Sequence, residues 1–134
     1  MRRTTAASPR GRGSLGQVSD EDLLVTTWLT LPEVAEALGT DVSRVRQLVR
    51  DRQVLASRRG DNNALMVPAE FVTDGKVLKG LPGTLTLLAD ARYSDDEALR
   101  WLFTPDDSLP GTPVQALVEN RGTEVRRRAQ ALGF

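Results

Sequence analysis

Two short amphipathic segments separated by a glycine constrain the fold of this chain more than any other feature. Thr30 and Glu33 have the spacing of a capping box and enclose Pro32, so a helix is predicted to begin at Leu31. Its apolar residues recur at the spacing of one helix face. Gly39 is suited to end this helix because glycine adopts a positive φ at little cost. A second helix is predicted to follow at once.

The second helix is predicted over residues 42–51, with Thr40 or Asp41 at its N-cap. Its buried stripe is predicted to comprise Val42, Val45, Leu48 and Val49. The opposite face then presents polar side chains, which are Ser43, Arg44, Gln47 and Arg50, with Arg46 at the rim. The pattern therefore predicts a helix–turn–helix whose second helix is basic.

A β-hairpin is predicted after the second helix. Two short apolar runs, residues 54–56 and 64–67, flank a polar segment that contains Gly60 and Asn63, a composition favourable for a hairpin turn. Pro68 is predicted to end the second strand. Two helices and a hairpin in this order are typical of a winged helix-turn-helix.

The rest of the chain is predicted to be helical, after an extended segment with a turn at Asp74 and Gly75. Four helices are predicted. The first spans residues 82–91, the second begins at the second capping box Ser94 to Glu97, the third runs from Thr112 through Val118, and the fourth runs from an N-cap at Thr123 to about Gly133. The predicted fold class is mainly α with a small β-hairpin. It comprises a disordered basic tail (residues 1–19), a winged helix-turn-helix (20–72) that opens with a short helix at 20–24, and a helical C-terminal domain (73–134).

Missing residue types exclude several functional classes. The chain has no cysteine and no histidine, which removes disulfides, thiolate metal sites and the common nucleophile–base pairs. Its acidic clusters lie at predicted helix starts and turns, where capping explains them. No catalytic residue, metal or cofactor is therefore predicted, and the chain is predicted not to be an enzyme. No apolar run approaches a membrane span or a signal core, so we expect a cytoplasmic protein without a membrane partner.

The charges are balanced in number and segregated along the chain. There are 18 basic and 18 acidic residues, but residues 40–60 hold six arginines against two acids. Residues 84–124 hold eight acids against three arginines. Such a basic segment favours a polyanionic partner, whereas chance clustering on solvated faces is the alternative.

Double-stranded DNA is the predicted partner. The second helix of such a fold enters the major groove, and a basic wing contacts phosphates or the minor groove. Arginine can read guanine, glutamine can read adenine, and a hydroxyl early in the helix can contact a phosphate. The predicted DNA-binding residues are Ser43, Arg44, Arg46, Gln47, Arg50, Arg52, Arg58, Arg59, Asn62 and Asn63. The predicted role is that of a transcriptional regulator or a nucleoid-associated protein.

The same segments resemble known families. Residues 29–39 and 42–48 resemble the opening of MerR and excisionase-like winged helices. Residues 79–88 and 98–106 resemble a small actinobacterial DNA-binding protein family, whose mycobacterial member is a substrate of a membrane Ser/Thr protein kinase. This resemblance covers about residues 28–134. It implies a winged helix-turn-helix, a helical C-terminal domain, and a disordered tail whose phosphorylation weakens DNA binding. The tail itself does not align, so the candidate phosphoacceptors are Thr4, Thr5, Ser8 and Ser14.

A second resemblance concerns the C-terminal domain. Residues 101–114 with 124–128 resemble the toxin-binding domain of Xre/MbcA/ParS-type antitoxins. This implies an alternative function, an antitoxin-like DNA-binding protein whose C-terminal domain binds a toxin. A small helical scaffold that serves only for packing explains the same resemblance.

Overall fold

The computed structural model of the chain describes Val25 and residues 27–133. The predicted tail, its four candidate phosphoacceptors and the predicted short helix at residues 20–24 lie outside these residues. The fold class is confirmed: a three-stranded antiparallel sheet and two helices form a winged helix-turn-helix, and a helical region follows it.

The predicted helix–turn–helix is present. Helix α1 spans Leu31–Leu38 and helix α2 spans Val42–Arg50. At the start of α1, the Glu33 amide donates to Thr30 Oγ1 (3.3 Å), and the Thr30 amide donates to Glu33 Oε1 (2.7 Å). Gly39 ends the helix with φ of 69°, in the left-handed region that glycine adopts without strain. The capping box and the glycine stop are therefore confirmed.

The wing differs from its prediction in the first strand. Strand β1 (Trp28–Thr30) and strand β2 (Ser57–Arg59) both pair antiparallel with the central strand β3 (Ala64–Pro68). The first hairpin strand is thus residues 57–59, and the prediction of residues 54–56 is wrong. Val54 and Leu55 are 0% and 2% exposed, so that apolar run reflects burial before the strand. Strand β1 was not predicted, because three residues are too few for a periodic pattern.

A second, two-stranded ribbon connects the wing to the C-terminal helices. After a single 3₁₀ turn (Ala69–Phe71), strand β4 (Val72–Thr73) pairs antiparallel with strand β5 (Lys76–Val77). Their connection has positive φ at Asp74 (52°) and Gly75 (76°), which confirms the predicted turn.

Four helices complete the described chain: α3 (Leu81–Asp90), α4 (Asp95–Leu102), α5 (Pro113–Val118) and α6 (Gly122–Ala131). The capping box of Ser94 and Glu97 is confirmed at the start of α4, and Thr112 caps α5. Helix α6 begins at Gly122 with Arg121 at the N-cap. The prediction of Thr123 as its cap is wrong, because Thr123 already lies within the first turn.

One apolar core joins the winged part to the helical part. It includes Val34 and Val45 from the helix–turn–helix, and Leu85 and Leu99 from the C-terminal helices, all 0% exposed. Between them, Phe71 packs on the ring of Phe103 with a centroid distance of 5.8 Å. Burial of these apolar side chains stabilises the fold. It also orients α2, because the helix buries its apolar face in the core and its polar face is therefore left in solvent.

Candidate nucleic-acid interface

The exposed face of α2 carries the polar residues that the helical pattern placed there. Val45 and Leu48 are buried, and this burial holds the helix against the core. At the N-cap, Asp41 Oδ1 accepts a hydrogen bond from the Arg44 amide at 2.8 Å. The side chains on the outer face are exposed: Ser43, Arg44, Arg46, Gln47 and Arg50.

A groove separates α2 from the wing, defined as β2, β3 and the turn at residues 60–63. Its apolar lining residues include Pro32, Val42 and Leu65. Five predicted DNA-binding residues line it together: Arg46 and Arg50 from α2, Arg58 from β2, and Asn62 and Asn63 from the turn. Side chains from a helix, a strand and a turn thus contribute donors to one concave surface.

The turn of the wing is braced by its own backbone and by Arg58. The Asn63 amide donates to the Gly60 carbonyl at 3.1 Å, and both residues have positive φ. Arg58 Nη1 donates to the Asn63 carbonyl at 3.1 Å. Arg58 is nevertheless exposed, and its guanidinium carries further donors besides the one in this bond.

Arg44 and Gln47 form a separate pair on α2. Arg44 Nη1 donates to Gln47 Oε1 at 3.2 Å, one helical turn along the exposed face. Neither residue lines the groove beside the wing. The outer face of α2 therefore presents two adjoining polar areas, one in the groove and one beyond it.

The last two predicted residues, Arg52 and Arg59, have partners outside the groove. Arg52 forms an ion pair with Asp95 at the start of α4. The Arg59 guanidinium lies over the ring of Trp28, 4.5 Å from its centroid. Burial lowers the pKa of Arg59, and the negative charge of Asp96 opposes that effect. Arg59 remains charged at neutral pH, because the pKa of a guanidinium lies far above 7.

Three residues beside the wing were not identified as part of the site by the sequence. Capping alone explains Asp95 and Asp96 in the sequence. No local sequence pattern places them next to β2, which is distant in the chain. Trp28 supports Arg59 from β1, which the sequence did not predict. An isolated tryptophan before a capping box was the available signal, and it is a weak one.

Metal-binding clusters and membrane-spanning helices are both absent from the described part of the chain. Within Val25 and residues 27–133, no group of three or more His, Cys, Asp or Glu side chains is placed to hold a metal ion. The helices in the same part of the chain lack the combination of length and apolarity that crossing a bilayer requires.

The chemistry of the assembled side chains is that of hydrogen-bond donation to anions and base edges. Arginine donates to phosphate oxygens and, through two nitrogens, to guanine. Asparagine and glutamine amides complement the adenine edge. The groove is open to solvent, and it is bounded by one helix and one hairpin whose positions the core fixes.

Comparison with known proteins gives matches over most of the chain. Residues 18–72 match a family model described as the wHTH domain of DNA-binding protein Rv2175c, and residues 78–133 match its C-terminal domain of unknown function. The DNA-binding protein Rv2175c of Mycobacterium tuberculosis is 44% identical over 117 aligned residues, which cover 78% of this chain and 79% of that protein. The NMR structure of Rv2175c aligns with a TM-score of 0.74 at 36% identity, covering 92% of this chain and 99% of the other.

Proposed function

Because the chain belongs to the Rv2175c family, we propose that it binds double-stranded DNA through α2 and the wing. This family membership agrees with the sequence analysis, in which motifs of the chain resemble a small family of winged helix-turn-helix DNA-binding proteins. The observation that supports the proposal most directly is the groove in which Arg46, Arg50, Arg58, Asn62 and Asn63 converge. These residues come from three elements and share a single concave surface.

In the proposed complex, α2 occupies the major groove, which is wide enough for one helix and exposes base edges. The outer face of α2, with Ser43, Arg44 and Gln47, faces the bases and the adjoining phosphates. Arg58 and the asparagines of the wing turn contact the backbone beside it, because the wing lies next to α2 across the groove. Phosphate contacts supply affinity and position α2, and base contacts supply sequence preference.

The experiment is a titration of random duplex DNA at several salt concentrations with the variant R46A/R50A. Its matched control is R126A/R127A, which removes the same charge from exposed positions on α6. We expect R46A/R50A to bind more weakly, with a log K against log salt slope reduced by about 0.9 for each phosphate that the variant no longer neutralises. A folded R46A/R50A protein that binds as tightly as the control contradicts the proposal.

At the level of the cell, we propose that the protein acts at the nucleoid in the cytoplasm as a transcriptional regulator or a nucleoid-associated protein. The two roles differ in the ratio of specific to non-specific affinity. Binding selection from a random duplex library separates them, because a regulator enriches one sequence and an architectural protein does not.

We also propose that phosphorylation of the N-terminal tail weakens DNA binding. The support is the resemblance together with the tail composition, four arginines and the hydroxyl residues Thr4, Thr5, Ser8 and Ser14. A phosphate adds about −1.5 to −2 charges at pH 7, which opposes the attraction of the tail arginines to the duplex. Full-length, kinase-treated and residue 1–14-deleted proteins are titrated on one duplex. We expect the weakest binding after kinase treatment, and equal affinities contradict the proposal.

The antitoxin-like alternative gains no support from the contacts of the C-terminal helices. The two segments that resemble a toxin-binding domain bind each other, since Arg128 Nε donates to Ser108 Oγ at 2.7 Å and Arg128 Nη2 donates to the Ser108 carbonyl at 2.9 Å. These hydrogen bonds hold the two segments together within the chain, which agrees with a helical scaffold that serves for packing. Toxin binding stays a prediction, which copurification with the product of an adjacent gene would test.

A further inference from the structure

The wing borders two grooves of opposite charge. Arg58 and Leu65 line the basic groove beside α2, and the same two residues line a second groove toward α4. The second groove is lined by Ser94, Asp95 and Asp96 at the start of α4. Two carboxylates therefore lie next to the surface that is proposed to contact DNA, in a groove that shares Arg58 and Leu65 with it.

The placement of these two carboxylates is set by the backbone of α4. The Ser94 amide donates to Glu97 Oε1 at 2.8 Å, and the Glu97 amide donates to Ser94 Oγ at 3.1 Å. This capping box fixes the first turn of the helix, of which Asp95 and Asp96 are the first two residues. The capping box thus holds the backbone of Asp95 and Asp96 beside the wing.

Both carboxylates act on arginines of the basic segment. Asp95 pairs with Arg52, and within the described residues Arg52 Nε and Nη2 are shielded from solvent without a further hydrogen-bond partner. A phosphate group can therefore reach these donors only when Arg52 leaves its pair with Asp95. The charge of Asp96 interacts with that of Arg100 on its own helix and, more weakly, with that of Arg59, which lies over the ring of Trp28.

We propose that Asp95 and Asp96 form an acidic border of the DNA interface, which withholds Arg52 and Arg59 from phosphates and lowers the affinity for duplex DNA of any sequence. This inference rests on the proposed DNA-binding function. Sequence-independent affinity comes from phosphate contacts, and a like charge at the rim of an interface opposes them. Base contacts from α2 lie beyond the border, so the border lowers the affinity without changing which bases α2 contacts.

A purely structural role for these acids predicts a different result. The side chains of the Arg52–Asp95 pair are 35% and 56% exposed, and exposed ion pairs contribute little to stability. Removing either charge while preserving the side-chain shape should therefore leave the fold intact. Only the proposed electrostatic role predicts that DNA binding becomes stronger when the negative charge of Asp95 or Asp96 is removed.

The test uses full-length D95N and D96N on a random duplex, with D107N as the matched control. Asp107 is an exposed acid in the loop before α5, so D107N changes the net charge equally away from the wing. We expect D95N and D96N to bind about two- to fivefold more tightly than the control. In D95N, the released Arg52 should steepen the salt slope by up to about 0.9, and the added change R52A should abolish this increase.

The charge-conserving variant D96E should retain the affinity of the parent. If D95N proves unstable, D96N still tests the border, because it leaves the Arg52–Asp95 pair in place. Folded variants that bind no more tightly than D107N, in a protein whose affinity still depends on Arg46 and Arg50, overturn the border alone. If the parent does not bind duplex DNA, both the border and the proposed function are overturned.

Discussion

The winged part (residues 28–72) and the helical part (residues 78–131) use the same local device with opposite electrostatic results. Helices α1 and α4 each begin with a complete capping box, formed by Thr30 with Glu33 and by Ser94 with Glu97. Helix α1 leads through a tight turn to α2, whose outer face exposes three arginines. Helix α4 begins with three consecutive acids, of which two face the wing.

The comparison shows that capping fixes where a helix begins, while the residues outside its buried stripe determine its electrostatic role. The charge segregation along the sequence becomes a boundary in space, because the wing lies between the basic helix and the acidic helix start. Helix α2 and the start of α4, which are distant in the sequence, thus place opposite charges on the two sides of the wing.

The largest expected effect is a loss of stability, and it tests whether the winged part and the helical part unfold together. Leu85 in α3 is fully buried in the shared core, so L85A should reduce the free energy of unfolding by about 2–5 kcal/mol. Because the core is continuous through Phe71 and Phe103, the winged part should unfold together with the helical part. Urea unfolding is followed by tryptophan fluorescence in two backgrounds, W101F for the winged part and W28F for the helical part.

In each background, L85A is compared with its own parent, so that the cost of the tryptophan replacement cancels. Coincident downward shifts of both midpoints support a single cooperative unit. A midpoint of the Trp28 signal that stays at its parental value while the Trp101 midpoint falls would show two independent units.

Local sequence signals predicted the helices well, because their ends are set by neighbouring residues. Thr30, Asp41 and Gly39 each act within one turn of the chain. Strands β1 and β2 were missed or misplaced, because each is three residues long and exists through pairing with β3. Such pairing depends on residues distant in sequence, which a periodic pattern does not contain.

The candidate site was predicted in composition and only partly in arrangement. Arg46 and Arg50 follow from the period of α2, so their outward direction could be predicted. Arg52 lies beyond the helix with φ of 56°, in the left-handed region that arginine rarely adopts, and extrapolation of the helical wheel fails there. Its partner Asp95 is 43 positions away, so the direction of Arg52 is a tertiary property.

The smallest expected effect separates two adjacent acids of α4 by their pH dependence. Hydrogen bonds from Ser94 lower the pKa of Glu97, whereas burial, reinforced by the charge of Asp95, raises the pKa of Asp96. The folded state therefore gains stability from ionised Glu97 above its ordinary pKa and loses that stability as the pH falls through the lowered value. For Asp96 the sign is opposite: ionisation above the raised pKa costs stability, so protonation on acidification favours the folded state.

Carboxyl ¹³C NMR titration should show the two midpoints displaced in opposite directions from their ordinary values. E97Q keeps the capping geometry, since glutamine also serves in a capping box, and should remove only the Glu97 contribution to the pH dependence of unfolding. D96N should remove the opposite contribution, and its stability relative to the parent should rise as the pH increases through the Asp96 midpoint. A midpoint for Asp96 at or below its ordinary value would mean that water and the charges of Arg100 and Arg59 compensate its burial, and the contrast between the two acids would then be absent.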